Sequence, residues 1–413
     1  MKKYLVFLLS VLLVLGSVSF VIADDAGMDS VRAMSPGAKV QIGGDARVRG
    51  IWFHNSDFDD SGDDNDNRYL DQRIRLKFKG EAGNGISANL RLYISNSPQW
   101  DGTSQTNCTG CILVDYAYIT IPIPVIDATL MAGLQKMNWG NKLYLWDDRY
   151  DVIQTSRMFG DVKLTTFTRK IDDTFDTLVG DDNLKDLNDF GVSLVANVND
   201  IEAGALLIFR SDTRDEPDPN PLSTGLDRFD ISLYGKAAIS NFNVGGELVF
   251  ITGDRKIEIS PEDNTPMGLI LDAETTVGAI GIRADVAWLS NGFVANDNYV
   301  PTLMIGTDQN TALFNLLAAD DESTILVAGT VDTDVMDNVN LMGRVAWITG
   351  TGGAADNGDD VDGFEIDGRV SIQLAKNARY TLEGGIIIPG DDWFTGASDD
   401  SASVIAHRAE LWF

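Results

Sequence analysis

Six cations stand at alternate positions in three stretches early in the chain: Arg47 and Arg49; Arg73, Arg75 and Lys77; and Arg91. Apolar residues fill the positions between and beside them, as with Val48, Ile74, Leu76, Leu90 and Leu92. A period of two puts each cation set on one face of a strand and the apolar set on the other. Neighbouring strands lie about 4.8 Å apart, so three such strands would build a basic wall. Inside a low-dielectric channel that wall attracts anions, and guanidinium groups can hold carboxylates or phosphates bidentately. The same cations could instead pair with Asp45, Asp115, Glu383 and Glu410 and serve only to brace the structure. Asp115, Arg369, Arg379 and Arg408 complete the set of residues expected to line a lumen.

Other candidate chemistry is sparse. Asp57, Asp59, Ser61, Gly62, Asp63 and Asn65 reproduce the first half of a calcium loop, with oxygen ligands at alternate positions and glycine at the sharp turn. The pattern then fails, because Arg68 stands where the bidentate glutamate belongs and Asp64 where an apolar residue is usual. The calcium signature is therefore weak, and a solvated acidic loop is the default. Cys108 and Cys111 are the only cysteines, spaced Cys-Thr-Gly-Cys, and in an oxidising compartment that spacing suits a small local disulfide. Haem attachment would need histidine after Cys111, where Ile112 stands. Only His54 and His407 could act as imidazole bases, and neither a Gly-x-Ser-x-Gly elbow nor a His-Glu-x-x-His pair occurs. No enzyme, and no cofactor beyond that calcium, is expected. A formal charge of -30 argues against a nucleic-acid partner.

The elements that must position these residues are strands. Alternation recurs at Ala46 to Trp52, Ile74 to Phe78, Ala88 to Ile94, Arg228 to Leu233 and Arg369 to Leu374. Connections alternate in length. Short joints at Glu81 to Gly85, Pro122 to Val125, Asn199 and Asp200, Ser240 and Asn241, and Ala375 to Ala378 are separated by long, mostly acidic segments. Short periplasmic turns and long external loops are the plan of a bacterial outer-membrane barrel. One strand between successive connections gives about 18 strands, with 16 as the alternative. The stretches Lys163 to Val179 and Met267 to Trp288 divide ambiguously. About 18 strands leave an aqueous channel rather than a filled interior.

Both ends agree with export. Lys2 and Lys3 precede an apolar run that stops at Ala23, the pattern of a secretory signal peptide over residues 1–23. A short periplasmic segment, 24–38, then leads into a barrel over 39–413. At the other end Ile405, Ala409, Leu411 and Phe413 oppose Val404, Ala406, Arg408, Glu410 and Trp412, as in a closing strand with one lipid face and one lumen face. His407 falls on the lipid face, where a contact in a homo-oligomer or a neutral lipid-facing ring would explain it. The expected partners are outer-membrane lipid, lipopolysaccharide and small anionic or sugar-like solutes.

The segment Gln135 to Gly160 differs from the other long connections in being aromatic and basic, with Lys142, Trp146, Arg149 and Arg157 as its key residues. It is expected to fold partly into the barrel and narrow it. Anchoring in the interfacial aromatic girdle is the alternative.

Over its first 130 or so mature residues the chain resembles the alginate-export-type outer-membrane porins. The resemblance lies in Arg47-x-Arg49, Gln72-Arg73-Ile74-Arg75-Leu76, Asp115-Tyr116-Ala117-Tyr118, Gly133-Leu134-Gln135, Trp139-Gly140, and Trp146 with Arg149, Arg157, Phe159, Gly160 and Asp161. It implies an 18-stranded barrel with an arginine-lined lumen. Members show Gly-Arg-Gln where Leu134 stands here. Three functions follow as expectations: a porin passing small, preferentially anionic solutes; an exporter of an acidic polysaccharide or uronate; or a structural or adhesive barrel with acidic loops.

Overall fold

A computed structural model describes residues 39–55, 67–96, 112–172, 187–212, 227–253, 265–290, 293, 295–296, 299, 301–304, 323–351, 361–390 and 400–413. The signal segment, the Asp57, Asp59, Ser61 and Asp63 loop, and Cys108 with Cys111 lie outside the described residues.

Eighteen antiparallel strands form one closed sheet. In chain order they are β1 (Lys39–His54), β2 (Asn67–Glu81), β3 (Ser87–Asn96), β4 (Ile112–Ile123), β5 (Ala128–Asn138), β6 (Trp146–Phe159), β7 (Val162–Asp172), β8 (Leu187–Val198) and β9 (Ile201–Asp212). There follow β10 (Asp227–Ile239), β11 (Phe242–Gly253), β12 (Met267–Val277), β13 (Ile280–Leu289), β14 (Ser323–Met336), β15 (Val339–Thr351), β16 (Val361–Ala375), β17 (Ala378–Pro389) and β18 (Ala402–Trp412). Each strand pairs with its sequence neighbours, and β18 closes on β1. At the seam the amide of Gly44 donates to the Phe413 carbonyl at 2.8 Å, and the Phe413 amide donates back to Gly44 at 3.0 Å. Closure leaves no free sheet edge at the ends of the strand order, the condition for a sheet to exist in lipid.

Parity decides which side faces lipid. Val48, Trp52, Ile153, Val192, Leu194, Leu233, Ile366 and Ile405 are exposed large apolar residues. Their neighbours in sequence, Arg49, Ile51, Val152, Ser193, Ser232, Glu365 and Val404, are buried on the inner side. His407 is exposed on the outer face beside Tyr380, with ring centroids 6.2 Å apart. Its ring lies over Gly50, where a Cβ would come within 2.4 Å of Nε2. Short turns join the strands at one end, as at Asn199–Asp200, Ser240–Asn241 and Gly278–Ala279. The stretch Met267 to Trp288 resolves into β12 and β13, and Lys163 to Val179 contributes β7.

One expectation fails. Gln135 to Gly160 is not a long loop. Strand β5 runs to Asn138, only seven residues separate it from β6, and β6 fills most of the remainder. The pairing shows why this hairpin is unusual. Ladder contacts between β4 and β5 stop at Ala117 with Leu134, and those between β6 and β7 stop at Asp151 with Lys170. Residues 135–150 therefore pair only with each other. The outer half of the β5–β6 hairpin leaves the wall and lies inside the barrel.

Candidate functional site: a lumen with a basic wall and an inward hairpin

The departure begins at Gly133, whose φ of 123° is open to glycine and strained for other residues. Beyond it Met137, Trp139, Leu145 and Val152 pack with Phe167 of β7 and with Leu206 and Ile208 of β9. The hairpin thus folds over the lumen face of β7 to β10. Tyr150 lies against the Arg169 guanidinium, 4.3 Å from ring centroid to Cζ. Burial supplies the attraction, and the polar contacts fix the register.

The hairpin tip docks on the far wall through a hydrogen-bond cluster. The Trp139 indole donates to Ser232 Oγ at 2.8 Å, and Ser232 Oγ donates to Glu247 Oε1 at 2.9 Å. The amides of Asn141 and Leu143 donate to Glu247 Oε2 at 2.7 and 3.1 Å. Lys236 Nζ donates to the Gly140 carbonyl at 3.0 Å. Gly140 sits at φ 56° with the Glu247 carboxylate 2.5 Å from where a Cβ would stand, so this position needs glycine twice over. The Tyr144 hydroxyl donates to Asp230. Burial first, then the Asp230 charge, push the Tyr144 phenol far above its ordinary value, so it keeps its proton as a donor.

A second connection also enters the lumen. After β13, Phe293, Ala295 and Met304 are buried against wall residues of β11 to β18 and β1, including Val249, Leu289, Ile348 and Ile51. The amides of Leu303 and Met304 donate to Asp367 at 3.0 Å and Glu365 at 2.6 Å. The Asn296 amide donates to the Leu143 carbonyl at 2.8 Å, and its side chain donates to Asp148 at 2.7 Å, tying this segment to the hairpin. Two inward elements from opposite sides therefore meet and narrow the passage.

The basic residues lie on the remaining wall. Arg47, Arg49, Arg73, Arg75, Lys77 and Arg91 share the lumen side of β1 to β3, and Arg369, Arg379 and Arg408 share that of β16 to β18. Many are paired. Arg49 Nε donates to Asp71 at 2.9 Å, Arg75 holds Asp45 at 2.8 Å, and Arg379 holds Glu410 at 2.7 Å. Other approaches are loose: Arg73 to Asp45 at 3.6 Å and Arg408 to Glu383 at 3.8 Å. From β17 round to β3 the inward positions hold Arg379, Arg408, Lys39, Arg47, Arg49, Arg73, Arg75, Lys77, Lys79 and Arg91 against Glu383, Glu410, Asp45, Asp71 and Glu81, ten cations against five carboxylates, and Arg91 also reaches Asp115 of β4.

The opposite wall reverses the sign. Glu247, Asp272, Glu274 and Asp285 stand on β11 to β13 with Arg283 among them. A cavity of about 510 Å³ opens below the hairpin tip, lined by Asn141, Glu202, Lys236, Asp272 and Glu274 among others.

Among the residues expected to constrict, Lys142 stands at the hairpin tip at φ 79°, with its ammonium 5.1 Å from the Trp146 ring. Arg149 donates from Nε to Asp115 at 2.5 Å. Arg157 does not join them. It follows Ile153 in outward parity, pairs across from Ala128 and Leu164, and lays its guanidinium over Phe159 just before the turn at Gly160. A long cationic chain at that end of a strand can keep its charge at the membrane surface while its stem covers apolar area. Asp230, Ser232, Glu247, Glu365 and Asp367, which anchor the inward elements, were not singled out from sequence. Each stands at an inward position of an alternating strand, where it does not differ from the polar residues beside it, such as Arg228 and Arg369.

No family model matches the chain, and no curated protein matches it. Solved structures do match in fold. A BenF-like porin from Pseudomonas fluorescens Pf-5 aligns over 92% of this chain and 99% of its own, with TM-score 0.59 and 11% identity. OccK3 (OpdO) of Pseudomonas aeruginosa aligns over 90% and 95%, at TM-score 0.57 and 10% identity. OprD of the same organism aligns over 90% and 95%, at 0.55 and 11%. These likenesses concern the fold, that of an outer-membrane porin. A closed barrel with an apolar outer face belongs in the bacterial outer membrane.

Proposed function

We propose that the chain is a diffusion porin passing small hydrophilic solutes, with a preference for anions. The observation that carries this reading is the surplus of cations on the wall from β17 to β3, ten against five, beside a passage narrowed from the other side. Bracing calls for a carboxylate opposite each cation, so a twofold surplus of cations is poorly accounted for as bracing. In a water-filled lumen bounded by lipid it raises the local anion concentration. The in-folded hairpin and the Phe293 to Met304 segment favour small solutes over the acidic polysaccharide suggested by the family resemblance. They leave a cavity of about 510 Å³ below the hairpin tip, which a merely structural barrel would not need.

Neutralising Arg73, Arg369 and Arg408 to glutamine tests this directly. None of the three makes the closest ion pair on the wall, so the tight pairs Arg49 with Asp71 and Arg75 with Asp45 remain to hold the barrel. The reversal potential in a salt gradient across a planar bilayer should move toward cation preference. An unchanged potential would mean that the wall is structural and the anion reading wrong.

A further inference from the structure

Where the hairpin leaves the wall, it leaves a gap. Residues 112–116 of β4 stay paired with β3 as far as Ile112 with Ile94, yet none of them pairs with β5. Among the described residues this edge has no strand partner on its β5 side, over roughly 17 Å at about 3.3 Å per residue. An open sheet edge facing hydrocarbon is not tolerated, and unpaired backbone persists at membrane depth only where it is covered or lines water. The hairpin is held on the opposite side of the opening, over β7 to β10, by its own core. The separation of the hairpin backbone from the β4 edge is therefore built into the fold.

Charge fills it. Asp115 is the extra residue of a bulge, since Arg91 pairs with Tyr116 and Leu92 with Val114. From that position its carboxylate is shared by Arg91 of the lumen wall and Arg149 of the hairpin. Lys136 lies behind, paired with Asp147. At the outer end of the same edge Ile112 and Leu113 are exposed, the first at 62%. One carboxylate between two guanidiniums, beside apolar side chains at the membrane's outer level, matches the head and the start of the tail of an anionic amphiphile.

We propose that the gap between β4 and the folded-in hairpin is a side port, through which single-tailed anionic amphiphiles pass between the lumen and the outer leaflet. The Asp115 carboxylate is the gate. It holds the anion position between Arg91 and Arg149, and an incoming head group displaces it while the tail lies along Ile112 and Leu113. No bond is made or broken. The exchange is one anion for another.

The test uses the full protein in proteoliposomes and a decyl sulfonate carrying a diazirine at the tail end. After irradiation, the labelled residues are mapped by mass spectrometry. Label should concentrate on residues 112–116 and 135–138, and excess unlabelled decyl sulfonate should suppress it where methanesulfonate does not. Label spread evenly round the apolar belt would overturn the port. Arg149→Gln should weaken labelling about tenfold or more, the loss expected for one charge-assisted contact. Asp115→Asn should strengthen it roughly threefold or more by removing the competing charge between Arg91 and Arg149, while Arg149 stays bonded to Asp147. Unchanged labelling in both variants would sink the gate. Conductance measured on the same preparations separates this from the porin reading: a conducting barrel with even labelling loses the port and keeps the pore.

Discussion

Glu247 shows how much of the lumen's shape rests on single carboxylates. Its two oxygens take the Asn141 and Leu143 amides and the Ser232 hydroxyl, and Ser232 in turn takes the Trp139 indole. A buried N–H left without an acceptor costs about 1–3 kcal/mol. Glu247→Ala strands two amides at once, and little of the opposing core contact can compensate. The expected result is a higher mean single-channel conductance with frequent transitions, together with a lower unfolding temperature. Glu247→Gln keeps one acceptor oxygen, so it should show a smaller change in the same direction. Equal conductance in wild type and both variants would mean that the hairpin is held by its apolar packing alone. Tyr144→Phe, which removes one donor to Asp230 and leaves the ring, should fall between wild type and Glu247→Ala.

At the scale of the element, the hairpin of β5 and β6 explains both what the sequence revealed and what it hid. Strands β1 to β3, β10 and β16 alternate cleanly because one side meets lipid, and that pressure shows as Val48, Ile74, Leu90, Leu233 and Ile372 at every second position. Strand β6 has no such pressure on its outer half. Asp147, Asp148 and Tyr150 lie where lipid never reaches, so the stretch reads as a polar loop although it is a strand. The basic residues of the wall were legible from alternation alone. The carboxylates that receive the inward elements were not, since their partners, such as Leu303 with Asp367, are 64 residues apart. Gly140 gives the element its own prediction. Gly140→Ala places a Cβ against the Glu247 carboxylate in a left-handed backbone conformation. The tip should then lift from β10 and β11, raising conductance while the wall stays folded. Retained heat-modifiable migration on gels with increased conductance would support this, whereas loss of the folded form would place the tip within the folding core.

The whole molecule carries two opposed fields. Its formal charge is -30, and the connections His54 to Arg68, Gly350 to Gly363 and Pro389 to Ala402 are rich in aspartate, yet the wall from β17 to β3 holds the cation surplus. These fields act over different distances. An ion still outside the barrel meets fixed charge only through solvent, whereas an ion inside the narrowed passage is within contact range of the wall. The Debye length is about 30 Å at 0.01 M salt, about 10 Å at 0.1 M and about 3 Å at 1 M. At the lowest salt the acidic mouth should therefore repel anions before the wall can select them, and the measured preference should be weak or absent. Raising salt to roughly 0.1 M screens the mouth first, so anion preference should emerge. Near 1 M it should fall again as the wall itself is screened. A reversal-potential series at a fixed concentration ratio checks this. A preference that declines steadily from the lowest salt upward would mean that the loops contribute nothing to selection. A steady cation preference throughout would mean that the loops, rather than the arginine wall, set what this barrel passes.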